Sequence, residues 1–508
     1  MDHLLLGLAA NPSLPAALID RLISVADQDI AHALAGRGDL RPAQVRALAA
    51  RDEGSAVRLA YEGKLDRDDI DPRAQPDVAL AWLSERPGPP AWARLLLARR
   101  RCWERLAACA GLPGDVVEAL ATDADPQVVA ELATWTSDPA LLGRLAAHPH
   151  AGVRSAVAGN RVTPPHLLAA LLSGDGLPPA LRCRVCDQEE VPFVHGPYHA
   201  RTDCVLRPGD SCDGTHESTV HDIQRAALDN PATPADALLP FVDHPSILLR
   251  WALAPRTDLP PEAYERLARD PVPGVRGDLA ENPAIGEAVM CVLADDDGHD
   301  VRRRLAHNPR VPFDLFVRLA GSVRIGPTGP LPRVATASPA EVEELARAAE
   351  PGARMLVALR RDLPPGVRDV LAADPDAKVV KSIASHPGLS PSQLHAMVRR
   401  FGVHVVARVA ANLHAPPALL DELARQQPPV RKALREIARH PRATAATLWR
   451  CVEGGDERAR AVVAGRPGLP REILEQLLND PDPEVAEAAS ANPALSVSVM
   501  EELLRGRP

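Results

Sequence analysis

The sequence predicts an all-α solenoid, a stack of short α/3-10 helix pairs, interrupted once by a small cysteine-rich metal module. Three observations carry the fold class. A Leu-Ala-x-Asn-Pro string recurs, and its copies Leu279-Ala-Glu-Asn-Pro283 and Leu305-Ala-His-Asn-Pro309 stand 26 residues apart. Pro is abundant, 52 of 508 residues, without low-complexity runs, so it acts as punctuation at helix starts. Aromatics are scarce (5 Phe, 6 Trp, 3 Tyr), which leaves a core of Ala, Leu and Val suited to small, closely packed helices. Self-similarity at this period is the mark of units that stack on their neighbours to bury an apolar side.

Residues 371–398 show the unit. Asp374 is placed to cap a helix, with Pro375 at its first position, where a missing N–H costs nothing. Val379, Ile383 and Ala384 fall on one face, and Pro387 stops that helix after about two turns. Ser390 and Pro391 begin the next, whose apolar positions are Leu394, Met397 and Val398. The shorter helix, confined between two prolines, is expected to be partly 3-10. Neither helix is long enough to be stable alone, so stacking has to supply the stability. The same grammar returns at Asn11, Asp125, Asp138, His148, Asn230, His244, Asp270, Asn282, Asn308, Asp374, His440, Asp480 and Asn492, each followed by Pro. The His residues of these pairs read as corner or capping groups. The pattern blurs at 62–90 and at 321–333, where Gly-Pro-Thr-Gly-Pro reads as a lengthened loop.

These Leu-Ala-x-Asn-Pro and Asp-Pro-x-x-x-Val-Arg strings resemble the leucine-rich repeat variant family. The resemblance implies a right-handed superhelix of alternating α- and 3-10 helices with no β-strand. HEAT-type repeats are the runner-up, but their units are longer, at about 40 residues. The resemblance implies a fold and little chemistry.

Net charge is −9, which gives no global electrostatic case for nucleic acid. Residues 1–12 carry a short apolar run without the basic segment of a secretory signal, and no apolar stretch approaches bilayer length. The expected location is the cytoplasm. Eight Cys, four of them clustered, fit metal binding in a reducing compartment better than a disulfide framework.

Between Leu181 and Asp222 the repeat disappears. Cys183, Cys186, Cys204 and Cys212 stand there in C-x2-C-x17-C-x7-C spacing, with His195, His199, His216 and His221 nearby. A C-x2-C pair lets two thiolates converge on one ion, and the later pair completes a tetrahedral set. A segment this short and poor in aliphatics needs a metal or disulfides to hold a fold. The expected metal is structural Zn2+, with His216 as the substitute fourth ligand; an iron–sulfur cluster and no metal are the alternatives. The leucine-rich repeat variant family includes a member with a Cys-bound cluster domain, which the resemblance would place before the repeats rather than within them. Cys212-Asp-Gly-Thr-His216 is similar to the CDGSH iron–sulfur signature, but Arg201-Thr-Asp-Cys204 lacks that family's upstream C-x-C pair. Four thiolates leave no open position for substrate, so catalytic zinc is not expected. Cys102, Cys109, Cys291 and Cys451 read as small buried hydrophobes in the repeats.

A basic residue often follows the buried aliphatic position. Arg154, Arg250, Arg276, Arg302, Arg354, Arg431 and Arg460 share the frame apolar-Arg-x-x-aliphatic, while Val129, Val380, Val406 and Ala486 break the column. One reading is a stripe that grips carboxylates or phosphates. The other is that each Arg pairs with an acid of an adjacent repeat or stays solvated. Asp295-Asp-Asp-Gly-His-Asp300 lacks the remaining ligands of a calcium loop and reads as an Asp-rich corner. No phosphate-binding loop, nucleophile elbow or His-Glu-x-x-His motif occurs.

The sequence thus predicts N-terminal repeats over 1–181, a Cys-rich zinc-binding insertion over 182–222, and C-terminal repeats over 223–508. The expected function is a non-catalytic scaffold for a protein or peptide partner. Its competitor is an iron–sulfur or metal-sensing regulator that binds nucleic acid through the basic stripe. An enzyme of the DNA-repair type would need an aromatic-rich basic groove, and aromatics here are few.

Overall fold

The computed structural model of the chain describes residues 2–183, 217–322 and 331–505. Among the described residues there are α-helices and four short 3-10 turns, and no strand beyond one isolated parallel bridge between His150 and Arg182. None of these helices is long and apolar enough to cross a membrane. The chain divides into two compact units, one of Asp66–Leu319 and one of Met1–Leu65 together with Ala320–Pro508.

The unit at 371–398 shows how the sequence makes the elements. Val379, Ile383 and Ala384 are all fully buried, on one face of the helix Ala377–Ile383. Its N-cap is Asp376, which accepts from the Lys378 N–H at 2.7 Å; Asp374 instead ties the preceding corner by accepting from the Asp376 N–H at 2.8 Å. Ser390 caps the helix Pro391–Phe401 in a box with Gln393, and Leu394 and Met397 point inward.

Among the described residues most of the shorter helices are α throughout, and the expected partly 3-10 helix occurs only where a 3-10 turn adjoins Trp103–Ala107, Ala235–Leu238 or Val406–Ala410. Ile247–Leu253 and Ala377–Ile383 are seven-residue α-helices, and among the described residues 3-10 geometry is confined to Arg67–Asp69, Arg100–Cys102, Leu239–Phe241 and Gly402–His404. A proline at a helix start removes no intrahelical bond, so close Pro boundaries do not penalise α geometry. A 3-10 turn would also eclipse side chains at i and i+3 and spoil the buried face.

One helix of each pair stacks on its counterpart in the next unit. In Asp66–Leu319 this column runs Pro76–Glu85, Trp103–Ala107, Pro126–Trp135, Ala151–Gly159, Glu217–Asp229, Ile247–Leu253, Pro273–Glu281 and His299–Leu305. In the other unit it runs from Pro351–Val357 through Ala377–Ile383, Val406–Ala410, Arg431–Arg439 and Glu457–Ala464 to Pro483–Ser490. There the column does not stop. Pro483–Ser490 packs against His3–Ala10, which is followed by Gln28–Ala35 and Glu53–Tyr61.

Candidate functional site

Two sets of side chains at the corners bind each repeat to the next. The first is a ladder of donors that follows the column helix. Asn282 Nδ2 donates to the carbonyls of Ala254 and Arg256 at 2.8 and 2.6 Å, and Asn308 Nδ2 to those of Ala280 and Asn282 at 2.9 and 2.8 Å. Asn412 reaches Ala384 and His386 in the same way, and Asn492 reaches Ala464 and Arg466. His440 Nε2 meets the Asn412 carbonyl at 2.8 Å. These Asn side chains are essentially fully buried, and each satisfies two backbone acceptors that the helix end leaves open.

Arginine fills the same rung where Asn is absent, and the sequence reading missed this. Arg37, Arg256, Arg360 and Arg466 donate through Nη1 to carbonyls of the preceding repeat, as Arg256 does to Leu228 and Asn230 at 2.7 and 2.8 Å. A signal for three of them is present in the sequence. Arg37, Arg256 and Arg360 are each followed two residues later by Asp, whose carboxylate holds the guanidinium by two hydrogen bonds. The Asp39, Asp258 and Asp362 carboxyls are held below their ordinary values, first by those Arg hydrogen bonds.

The second set is the arginine column. Arg250, Arg276, Arg354 and Arg460 each occupy the fourth position of a column helix and grip an Asp 20 residues on, in the next repeat. The pairs are two-pronged: Arg250 to Asp270 at 2.6 and 3.2 Å, Arg460 to Asp480 at 2.8 and 3.1 Å. The carboxylates are nearly buried, 3% exposed at Asp270 and 4% at Asp374. The Arg276, Arg354 and Arg460 guanidiniums are pushed above their ordinary value, first by these Asp hydrogen bonds. Burial works to raise the Asp296 carboxyl, but Arg276 and the Gly298 N–H hold it below its usual range.

These four arginines serve the stack. Releasing them to hold a ligand would strand a buried carboxylate. Arg154 has no Asp partner among the described residues; it donates to the carbonyls of His148 and Pro178 at 2.6 and 2.7 Å, and burial pulls its guanidinium below the ordinary value. Arg302 donates to the Asp296 carbonyl. Arg431 is an exposed residue at the first position of Arg431–Arg439, out of register with the others, and the pair in that repeat is Arg435 with Asp456 at 3.0 and 2.9 Å. Asp296 and Asp300 of the acidic corner are engaged by Arg276 and by Arg303 with Arg304.

The cysteine segment interrupts the chain without interrupting the ladder. Helix Ala151–Gly159 stacks directly on Glu217–Asp229. Asn230 reaches back 72 and 70 residues to the carbonyls of Ala158 and Asn160, where Asn282 reaches back 28 and 26; the excess is 44 residues. The root of the insertion is pinned. The Leu181 and Arg182 N–H groups donate to the Pro149 carbonyl, and the Ala151 N–H to the Arg182 carbonyl. Cys183 follows immediately and is fully buried. Cys186, Cys204, Cys212 and His216, with His195 and His199, lie outside the described residues. His221 Nε2 is engaged with Ser246 Oγ. Of the scattered cysteines, Cys102, Cys109 and Cys451 are buried, and burial pushes the Cys109 and Cys451 thiols up to about 11 and about 12; Cys291 is exposed, contrary to expectation.

Fold and corners together define an α-helical repeat protein whose units are joined by buried corner hydrogen bonds. The family model described as leucine rich repeat variant matches residues 457–482. Among solved structures, one described as a leucine-rich repeat variant with a novel repetitive protein structural motif is 20% identical, over 51% of this chain and 90% of that one, with a TM-score of 0.29. An engineered protein is 16% identical over 97% and 99%, with a TM-score of 0.15. A chain from a structure of the Pds5–Scc1 complex is 14% identical over 94% and 66%, with a TM-score of 0.16. No curated protein matches the sequence.

Proposed function

We propose that the chain is a non-catalytic scaffold for a protein or peptide partner, coiled as a right-handed superhelix in the cytoplasm and carrying a structural metal module. The observation that carries this reading is that most polar groups at the corners are engaged within the stack. Asn, His and Arg ladder donors and the Arg–Asp pairs consume the polar groups at the corners, so exposed positions of the helices are free to serve a partner. The internal engagement of Arg250, Arg276, Arg354 and Arg460 weighs against nucleic-acid binding through the arginine column.

The metal module would be the 44-residue excess, displayed from one rung of the ladder. Cys183 is already fixed at its root, and Cys186, Cys204 and Cys212, or His216 in place of one, would complete a Zn2+ set; an iron–sulfur cluster is the alternative. A structural zinc contributes on the order of 10 kcal/mol to so small a module, so the metal would decide whether it folds. The test has two arms. Protein purified without added metal should contain one equivalent of zinc and lose it in Cys186→Ser; unchanged metal content in that variant contradicts the ligand set. Replacing residues 184–216 by a short Gly/Ser linker should leave the repeats folded and abolish capture of whatever partner the module presents. Unaltered capture would assign binding to the helices alone.

A further inference from the structure

At His386 a rung of the ladder is missing. His386 stands where Asn412 and His440 stand in the following repeats, and Asn412 Nδ2 reaches its carbonyl at 2.9 Å. By the register of the other rungs its side chain should meet the carbonyls of Ala358 or Arg360. It does not. The Gly388 N–H donates to His386 Nδ1 at 3.0 Å, so the neutral ring carries its proton on Nε2. That Nε2 is buried and has no protein partner, whereas His440, held the same way by the Arg442 N–H, places its Nε2 on a carbonyl. The His386 residue is 6% exposed.

A cavity of about 430 Å³ opens beside it, between the corner 358–362 and the helices Ala377–Ile383 and Val406–Ala410. Arg361 and Arg408 line it. Arg361 makes only a long, 3.4 Å contact with the Ser385 carbonyl, and Arg408 is exposed with no carboxylate partner among the described residues. The one acid in the lining, Asp362, is consumed by the two-pronged Arg360 pair at 2.9 and 2.6 Å. A buried N–H donor and two guanidiniums without a carboxylate partner among the described residues therefore line one space.

We propose that this cavity is a binding site for an oxyanion, a phosphate or carboxylate group, which accepts from His386 Nε2 and pairs with Arg361 and Arg408. Charge-assisted hydrogen bonds to guanidinium are the strong contacts such a group needs, and a buried donor left without a partner in the free protein adds to the gain on binding. Burial first, then the Arg368 charge, hold the His386 imidazole below its ordinary value, against opposing contributions from the Arg361 backbone and the Asp362 carboxylate. The site is independent of the scaffold reading and of the cysteine module.

The test is calorimetric titration of the full chain with inorganic phosphate and, separately, with acetate, at constant ionic strength set by chloride. The expected result is saturable one-to-one binding of at least one of the two, and the pair of titrations distinguishes phosphate from carboxylate. Arg408→Ala, at an exposed position that leaves the fold intact, should weaken binding about tenfold. His386→Asn should weaken it as much while keeping the thermal midpoint, because Asn fills this rung elsewhere. Arg505→Ala, a charge control outside the lining, should change nothing. No saturable heat with either anion, or binding that survives Arg361→Ala combined with Arg408→Ala, overturns the proposal.

Discussion

Asn11 stands to Asn492 as Asn492 stands to Arg466: in each case the side-chain Nδ2 donates to the other residue's backbone carbonyl at 2.7 Å. Asn11 also reaches the Ser490 carbonyl at 3.0 Å, as Asn492 reaches that of Ala464. Residues 3–25 therefore continue the stack that runs through 483–505. The ladder passes from Asn412 through His440, Arg466 and Asn492 to Asn11 and Arg37 in one unbroken series.

Asn11→Ala should therefore cost as much as Asn282→Ala in the other unit. Each change leaves two buried carbonyls without their donor, a loss of about 1–3 kcal/mol in unfolding free energy. Urea unfolding monitored by circular dichroism measures both. A costly Asn282→Ala beside a silent Asn11→Ala would mean that the two rungs are not equivalent.

Gly7 lies in His3–Ala10 at the closest approach to the neighbouring helix. A Cβ there would fall 2.1 Å from both the Glu487 carbonyl oxygen and Ser490 Oγ. Backbone cannot yield cheaply, so Gly7→Ala should lower the thermal midpoint despite the better helix propensity of Ala. Gly143 also sits in a helix, with open space around it. Gly143→Ala should gain about 0.5–1 kcal/mol.

Asp270→Asn would leave Arg250 buried and charged without its counter-ion, and should cost about 3–5 kcal/mol. Asp115→Asn removes an ion pair whose partners, Arg94 and Asp115, both lie in solvent, and should change the unfolding midpoint little or not at all. Comparable losses at the two sites would refute the assignment of the arginine column to repeat-to-repeat stability.

Acid should weaken the corners. Burial first, then nearby arginines, hold the His386 and His440 imidazoles below the ordinary 6.5, while the Asn412 carbonyl partly offsets this at His440. The unfolded chain binds protons as pH falls through 6.5 while the folded chain does not, so stability declines from there downward. The thermal midpoint should drop between about pH 7.5 and 5.5. His440→Asn should flatten that slope, since Asn fills the same rung at 412 and 492. An unchanged slope would remove His440 from the account.

Much of the unit was legible in the sequence, because Pro, Asn and Asp act locally: the buried face of Val379, Ile383 and Ala384 and the Ser390 cap follow from spacing alone. The corner residues, however, looked alike. The Asn-Pro corners and His440 turned out to be donors to the repeat before, and Asp270, Asp374 and Asp480 the acceptors for the Arg before them, a division that depends on which carbonyl or guanidinium lies across the gap. Arg431 misled because a frame match cannot reveal helix register. The contact of Asn11 with Asn492 was invisible for the same reason, since every rung carries the same signature and none names its partner.

The most direct test of continuous stacking is a distance between residues 3 and 487, where His3 Nδ1 lies 3.1 Å from Glu487 Oε2. Probes placed through unnatural amino acids spare the native cysteines. The account predicts a short, narrow distance in the intact chain that persists on dilution. A long or broad distribution, or a short distance found only at concentrations where copies associate, would contradict it.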